Sequence, residues 1–385
     1  MKTLFKIQSL AAILAICVML QPSIGCAGKV SAKESIKAAV VPEADVVLRA
    51  DIGAMSGTPI SKAMEKFNED NKGLDSSIAE NEKKEEAFKK ATGLTDKDII
   101  AGLFSCDVDG IDFDNPDKNQ IMAQIKASAG IALKKSVDTA KLKAGLKAVI
   151  DESEGVQILD IDISGVPALE LKSATPDDPT IYIAVASNGK AVFTAFNKQS
   201  LQAALKRAAA KKYEKISPEI ETAANTLPAG SQMKLSFVLP ESIREQIRQK
   251  VAEAEGNAQN DPNAAMMLGF ITPMKGLKSI SLGAKLADIL NISLACDLAT
   301  EQEAMQIKMI LQTMAMPVIM QMQAAQAQNP GAAPMNIAEI LNIDSKGSAV
   351  TLSLRFTEDQ IKAQMKSSMM QSGSPMAPPP APLAP

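Results

Sequence analysis

The 385-residue chain has no histidine, no tryptophan, two tyrosines and four cysteines. Without histidine, the Ser-His and Cys-His pairs that activate most nucleophiles are excluded, and so are imidazole-ligated metal centres. An excess of charge of one sign is also missing. The 41 basic residues face 44 acidic ones, which gives no field to attract nucleic acid or another polyanion. Neither Gly-x-Gly-x-x-Gly nor Gly-x4-Gly-Lys occurs, so no nucleotide loop is indicated. What remains is 46% hydrophobic and 22% charged, the composition of a folded chain, and its length suits two or three domains.

The N-terminus reads as an export signal. Lys2 and Lys6 precede an apolar run from Ile7 to Leu20, which Gln21-Pro22-Ser23 ends before a group of small residues. The run is short for a membrane span. Two processing sites compete. Cleavage after Ala27 would free a secreted or periplasmic protein. Ser23-Ile24-Gly25-Cys26 instead resembles the lipobox of bacterial lipoproteins, which implies acylation of Cys26 and a lipid anchor on the periplasmic face of the outer membrane. In either case Cys17 is lost, and Cys106 and Cys296 become the thiols of the folded body. Export permits a bridge between them. The alternation Ile292, Leu294, Cys296, Leu298 instead places Cys296 among core residues as a free thiol.

Beyond the signal (1–27) and a tether (28–41), the pattern suggests two related halves. Pro42-Glu43-Ala44-Asp45 precedes the strand pattern Val46 to Ile52. Leu227-Pro228-Ala229-Gly230-Ser231 precedes Met233 to Leu239, an offset of about 186 residues. An alternating strand, a polar cap and an amphipathic helix recur four times. The units begin at Ala129, Lys190, Asn291 and Ala349, with caps at Ser136 to Thr139, Asn197, Thr300 and Thr357. Ser187-Asn188-Gly189 and Ser164-Gly165 mark hairpins. Glu80 to Lys90 reads as an exposed helix. The expected fold is α+β: two tandem duplicated domains, 42–212 and 213–370, each an antiparallel sheet with helices on one face, then a disordered Pro/Ala tail at 371–385.

This plan resembles uncharacterised secreted and lipoprotein families of Gram-negative bacteria, whose mature parts open on a Pro-x-x-Asp-strand signature and repeat it once. The resemblance rests on Pro42 to Ile52, on Pro228 to Leu239 and on the strand-helix rhythm. It implies the duplicated fold and carries no activity.

Methionine is the compositional anomaly. Fourteen of the twenty lie at or after Met266, and six lie between Met305 and Met322. Met305, Met309, Met316 and Met320 share one helical stripe, while Ile307, Ile310, Leu311, Met314 and Val318 share another. No charged residue occurs from Met309 to Ala338, and Pro317 should kink or split the helix. An all-round apolar helix is normally buried, so a core helix is the leading reading. The second is an adaptable surface for a hydrophobic ligand, peptide or partner built on Met305, Met309, Met316 and Met320. The third is a Cu(I) site at Met314, Met316, Met320 and Met322, by the softness of thioether sulfur.

Two further candidates reduce to ordinary structure. Asp107, Asp109, Asp112, Asp114 and Asp117 have the wrong spacing for an EF-hand and read as a solvated turn. Ser187/Lys190 and Ser231/Lys234 do not start helices, as a catalytic Ser-x-x-Lys does. The sequence therefore indicates an exported, non-enzymatic envelope protein with no cofactor and no nucleic-acid partner. It would bind or scaffold, with a membrane contact through Cys26 and a hydrophobic ligand or protein partner on the methionine-rich half. A hydrolase using carboxylates alone is the alternative.

Overall fold

Alternation sets the strands, and their pairing joins them into one sheet. A computed structural model describes residues 30–70, 76–109, 125–150, 155–175, 178–257, 268, 272–328 and 340–362. The proposed signal with Cys26 and the tail at 371–385 lie outside the described residues. The first half contains α1 (Val30–Ser35, continued by a 3-10 turn at Ile36–Ala39), β1 (Val46–Ala50), α2 (Ile52–Met55), α3 (Pro59–Asp70) and α4 (Ser76–Thr92). It continues with β2 (Ile99–Asp107), β3 (Lys126–Leu133), α5 (Thr139–Val149), β4 (Gln157–Ile163), β5 (Val166–Lys172), β6 (Ile181–Val185), β7 (Ala191–Ala195) and α6 (Lys198–Ala210). Then come α7 (Pro218–Asn225), β8 (Met233–Val238), α8 (Glu241–Asn257), β9 (Ser279–Leu286), β10 (Ile289–Asp297), α9 (Glu301–Gln328), β11 (Leu341–Lys346) and β12 (Ala349–Thr357).

All twelve strands form one antiparallel sheet in the order β11-β12-β10-β9-β8-β1-β2-β3-β7-β6-β5-β4. The protein is α+β as expected, but the expected pair of separate domains is not what forms. The two halves meet where β1 pairs with β8, with Leu48 opposite Leu235. Edge strands with unpaired amides invite association, and here each half covers the other's edge. Outward from this junction the order is β1-β2-β3-β7-β6 on one side and β8-β9-β10-β12-β11 on the other, with the β4–β5 hairpin added at the first-half edge.

The local signals produced the expected elements. Ser164 and Gly165 adopt positive φ between β4 and β5, and the Asn188-Gly189 turn joins β6 to β7. All four strand-cap-helix units are present among the described residues, the last with its helix described as far as Lys362. Asp138 caps α5, Asn197 caps α6, and Thr300 with Glu303 forms a capping box on α9. Thr357 and Gln360 exchange the same kind of bonds at the last described helical turn.

Two other expectations are corrected. Helices cover both faces of the first-half strands, not one. Ala184, Phe193 and Ala195 pack under α6 and the Ile36–Ala39 turn, while Ile131, Ile183 and Val192 pack under α5. Strands such as β6 and β7 are apolar at almost every position, so both sides need cover. The proposed tether is also part of the core: Ile36, Ala38 and Ala39 are buried. The Ala39 carbonyl accepts from the buried Ser105 hydroxyl at 2.7 Å and also from Ser128. The second half has a counterpart, in which buried Ser281 donates to the Ala223 carbonyl near the end of α7. Arg49 on β1 then grips Glu221 of α7 with both guanidinium nitrogens, at 2.8 and 3.2 Å.

A candidate apolar site on the sheet

Residues directly opposite in neighbouring strands share a face of the sheet. On the face that carries α5 and α9, one row runs Phe104–Leu48–Leu235–Leu282–Leu294–Leu352 across β2, β1, β8, β9, β10 and β12. A second row runs Cys106–Val46–Phe237–Ile280–Cys296–Val350, and a third Gly102–Ala50–Met233–Ala284–Ile292–Leu354. None of these positions carries a charge. All six residues of the first row are only half-buried, and none belongs to a buried core cluster among the described residues. At ordinary strand spacing the row is about 24 Å long. Each of the six keeps part of its surface exposed, and a charge-free apolar strip of this length is a candidate contact site.

The helix α9 stands over one end of this strip. Its inner side, Ala304, Ile307 and Leu311, packs on Cys296, Val350 and Ile343. Lys308 reaches Asp344 at 3.5 Å. Close to its start, a Cβ on Gly276 would collide with the Glu303 carboxylate, so glycine there lets the 3-10 turn at Thr272–Gly276 sit against the helix. Met305, Met309, Met316 and Met320 share the outer side, and Met314 lies on the side of Ile307 and Leu311. Met305, Met309, Met314, Met316 and Met320 are 51 to 64% exposed. The leading expectation of a core helix holds for one side alone among the described side chains: Ala304, Ile307 and Leu311 pack, and the methionine stripe faces outward. Met314, grouped by the sequence with the packing stripe, is exposed as well. Pro317 lies inside a helix that continues to Gln328 and is not split into two.

The two thiols remain free. Cys106 and Cys296 occupy the same cross-strand row four strands apart, about 19 Å at ordinary spacing, which no disulfide can bridge. Cys296 packs on α9, as its alternation implied. Burial pushes the Cys106 thiol up to about 12, with Asp107 and Asp45 adding to the effect, and burial raises Cys296 too.

The copper candidates are not gathered by the helix. A Met-x-Met pair is turned by about 200° around the axis, so Met314 and Met316 point away from each other. Met316 and Met320 share a side, and the side chain of Met322 lies outside the described residues. No group of three His, Cys, Asp or Glu side chains suited to a metal occurs among the described residues.

Of the acidic series, Asp112, Asp114 and Asp117 lie outside the described residues. Asp107 pairs with Lys126 at 2.8 Å, and Asp109 accepts from Ser242 at 2.7 Å. They face Asp45, which accepts the Val108 amide at 3.0 Å. Burial, opposed in part by that amide and reinforced by Asp107 and Asp109, pushes Asp45 up to about 6. A separate small recess, lined by Ile60, Ala63, Met64 and Ile361 with Glu358 and Lys362, offers one carboxylate beside one ammonium.

Sequence reasoning found the methionine stripe and missed the strip on the sheet. The alternation was visible: Val46, Leu48, Ala50 in β1, Met233, Leu235, Phe237 in β8, and Val350, Leu352, Leu354 in β12. Alternation identifies a face that wants cover without saying which helix supplies it. No family model, no curated protein and no solved structure matches the chain. No described helix is long and apolar enough to cross a membrane.

Proposed function

We propose that this is an exported, non-enzymatic binding protein of the cell envelope that holds an apolar ligand on the strip beside the α9 methionines. The observation that carries the reading is the charge-free, half-buried row from Phe104 to Leu352. The ligand class follows from the geometry. The strip runs across the strands, so it offers side chains and no free backbone groups. A peptide laid there would bury amides without partners, at a cost of a few kcal/mol each, whereas a lipid acyl chain has none to bury. The exposed thioethers of α9, beside that end, extend the apolar surface with side chains that adapt to chains of varied shape. In this reading the two halves of the sheet descend from a duplication, as their matching strand order suggests, and Cys26 carries a lipid anchor at the outer membrane, as in the lipoprotein families the sequence resembles.

Binding is tested with an environment-sensitive acyl dye. Met316→Lys and Met320→Lys should each weaken binding roughly tenfold by placing a charge at an apolar contact, while the exposed sites leave the melting temperature within about 2 °C. Unchanged dye affinity in both folded variants would remove the role given to α9. No dye binding by the unmodified protein would end the proposal. The anchor has its own measurement: Cys26→Ser should move the protein from the membrane fraction to the soluble one.

A further inference from the structure

Among the described residues, the sulfur of the sheet and the sulfur of α9 differ in exposure. The two thiols of the described residues sit in the sheet, where burial raises their pKa values and keeps them protonated near neutral pH. A protonated, enclosed thiol is a poor nucleophile toward oxidants. The α9 thioethers are the opposite case. Met305, Met309, Met314, Met316 and Met320 are each more than half exposed, whereas Met274 is 40% exposed and Met55, Met64 and Met233 are half-buried. The described residues of the same helix that pack on the sheet, Ala304, Ile307 and Leu311, carry no sulfur. Tryptophan, another target of oxidants, is absent from the chain.

We propose that the outer methionine face of α9 is an oxidation site that takes an oxygen atom from a peroxide-class oxidant, and that the resulting sulfoxides release the apolar ligand. The release step rests on the acyl-binding reading above; the modification step does not. The thioether sulfur attacks one peroxide oxygen, forming the S–O bond as the O–O bond breaks. Sulfur is oxidised by two electrons and the peroxide is reduced. The proton of the transferred oxygen passes to the departing hydroxide, which leaves as water. Each event replaces an apolar side chain by a polar, chiral sulfoxide that a methionine sulfoxide reductase can reverse. Because the residues that anchor the helix, Ala304, Ile307 and Leu311, are hydrocarbon, oxidation of the exposed methionines changes surface polarity without loosening the helix from Cys296, Val350 and Ile343.

The full-length protein is treated with graded hydrogen peroxide at neutral pH, quenched and mapped by peptide mass spectrometry, with dye affinity and circular dichroism measured on the same samples. The five exposed methionines should convert several-fold faster than Met55, Met64 and Met233, with Cys106 and Cys296 unmodified and the dichroism unchanged. Dye affinity should fall by an order of magnitude or so and return after reductase treatment. A variant with leucine at all five positions should bind the dye and keep it after peroxide. Equal rates at exposed and half-buried methionines, or prior loss of the thiols, would overturn the oxidation site. Selective oxidation with undiminished dye affinity would overturn the switch. If neither protein binds dye before oxidation, the acyl-binding reading fails, and the mass map still decides the modification.

Discussion

Asp45 shows how much one position in a short opening motif can be asked to do. Its amide donates to the Cys106 carbonyl, its carbonyl accepts from Val238, and its carboxylate takes the Val108 amide. It therefore aligns the start of β1 with both neighbours. The cost is a charge in a half-buried setting beside Asp107 and Asp109, which is why its pKa is raised to about 6. A raised carboxylate binds its proton more tightly in the folded state. Its contribution to stability is fully present below the unfolded value, near pH 4, and is lost as pH climbs through about 6. Asp45→Asn keeps an acceptor for Val108 and removes the charge. The variant should melt higher than the parent at pH 7 and lose that advantage by pH 4. Melting curves at the two pH values give the answer, and a gap that widens toward acid would refute this account of Asp45.

Elements were legible where the signal was local. The Asn188-Gly189 hairpin, the Ser164-Gly165 hairpin and the caps at Asn197 and Thr300 need only a few consecutive residues, and each formed where the sequence implied. Packing between elements was not legible. Nothing in Gly145 announces that α4 presses on α5 there, yet a Cβ at that position would overlap both Thr92 and the Phe88 ring. Helix propensity alone makes Gly145→Ala stabilising by about 1 kcal/mol. Overpacking opposes it with about 1–3 kcal/mol, and the overlap with a buried threonine methyl leaves little slack. We expect net destabilisation, read as a lower urea midpoint. A raised midpoint would mean that α4 yields easily. The methionine helix erred the other way: its composition suggested burial, but only the side carrying Ala304, Ile307 and Leu311 found a sheet to pack on.

At the scale of the whole molecule, the sequence correctly implied an α+β build. It could not show whether the halves stand apart, because strand edges carry the same backbone groups whatever their side chains. The answer lies in the β1–β8 ladder and in the Arg49–Glu221 grip beside it. Both join residues from opposite halves. A fragment ending at residue 212 lacks β8 and α7, so it bares the β1 edge, a template for pairing with other chains. That fragment should form oligomers or precipitate under conditions in which the full chain is soluble, as sedimentation would show. A well-behaved monomer would mean that the halves are more independent than the shared sheet implies.

The position of β1 also sets an order of events in time. It is the first strand made, yet it finishes in the interior of the sheet, and its second neighbour, β8, ends at residue 238. Until that much of the chain has emerged, one side of β1 has no partner, and the strip through Leu48 is a third of its final length. Assembly must wait for a contact nearly two hundred residues away, the kind of closure that slows folding and lengthens exposure to other chains. Whatever accompanies this protein while it is being made has to shelter that strand first.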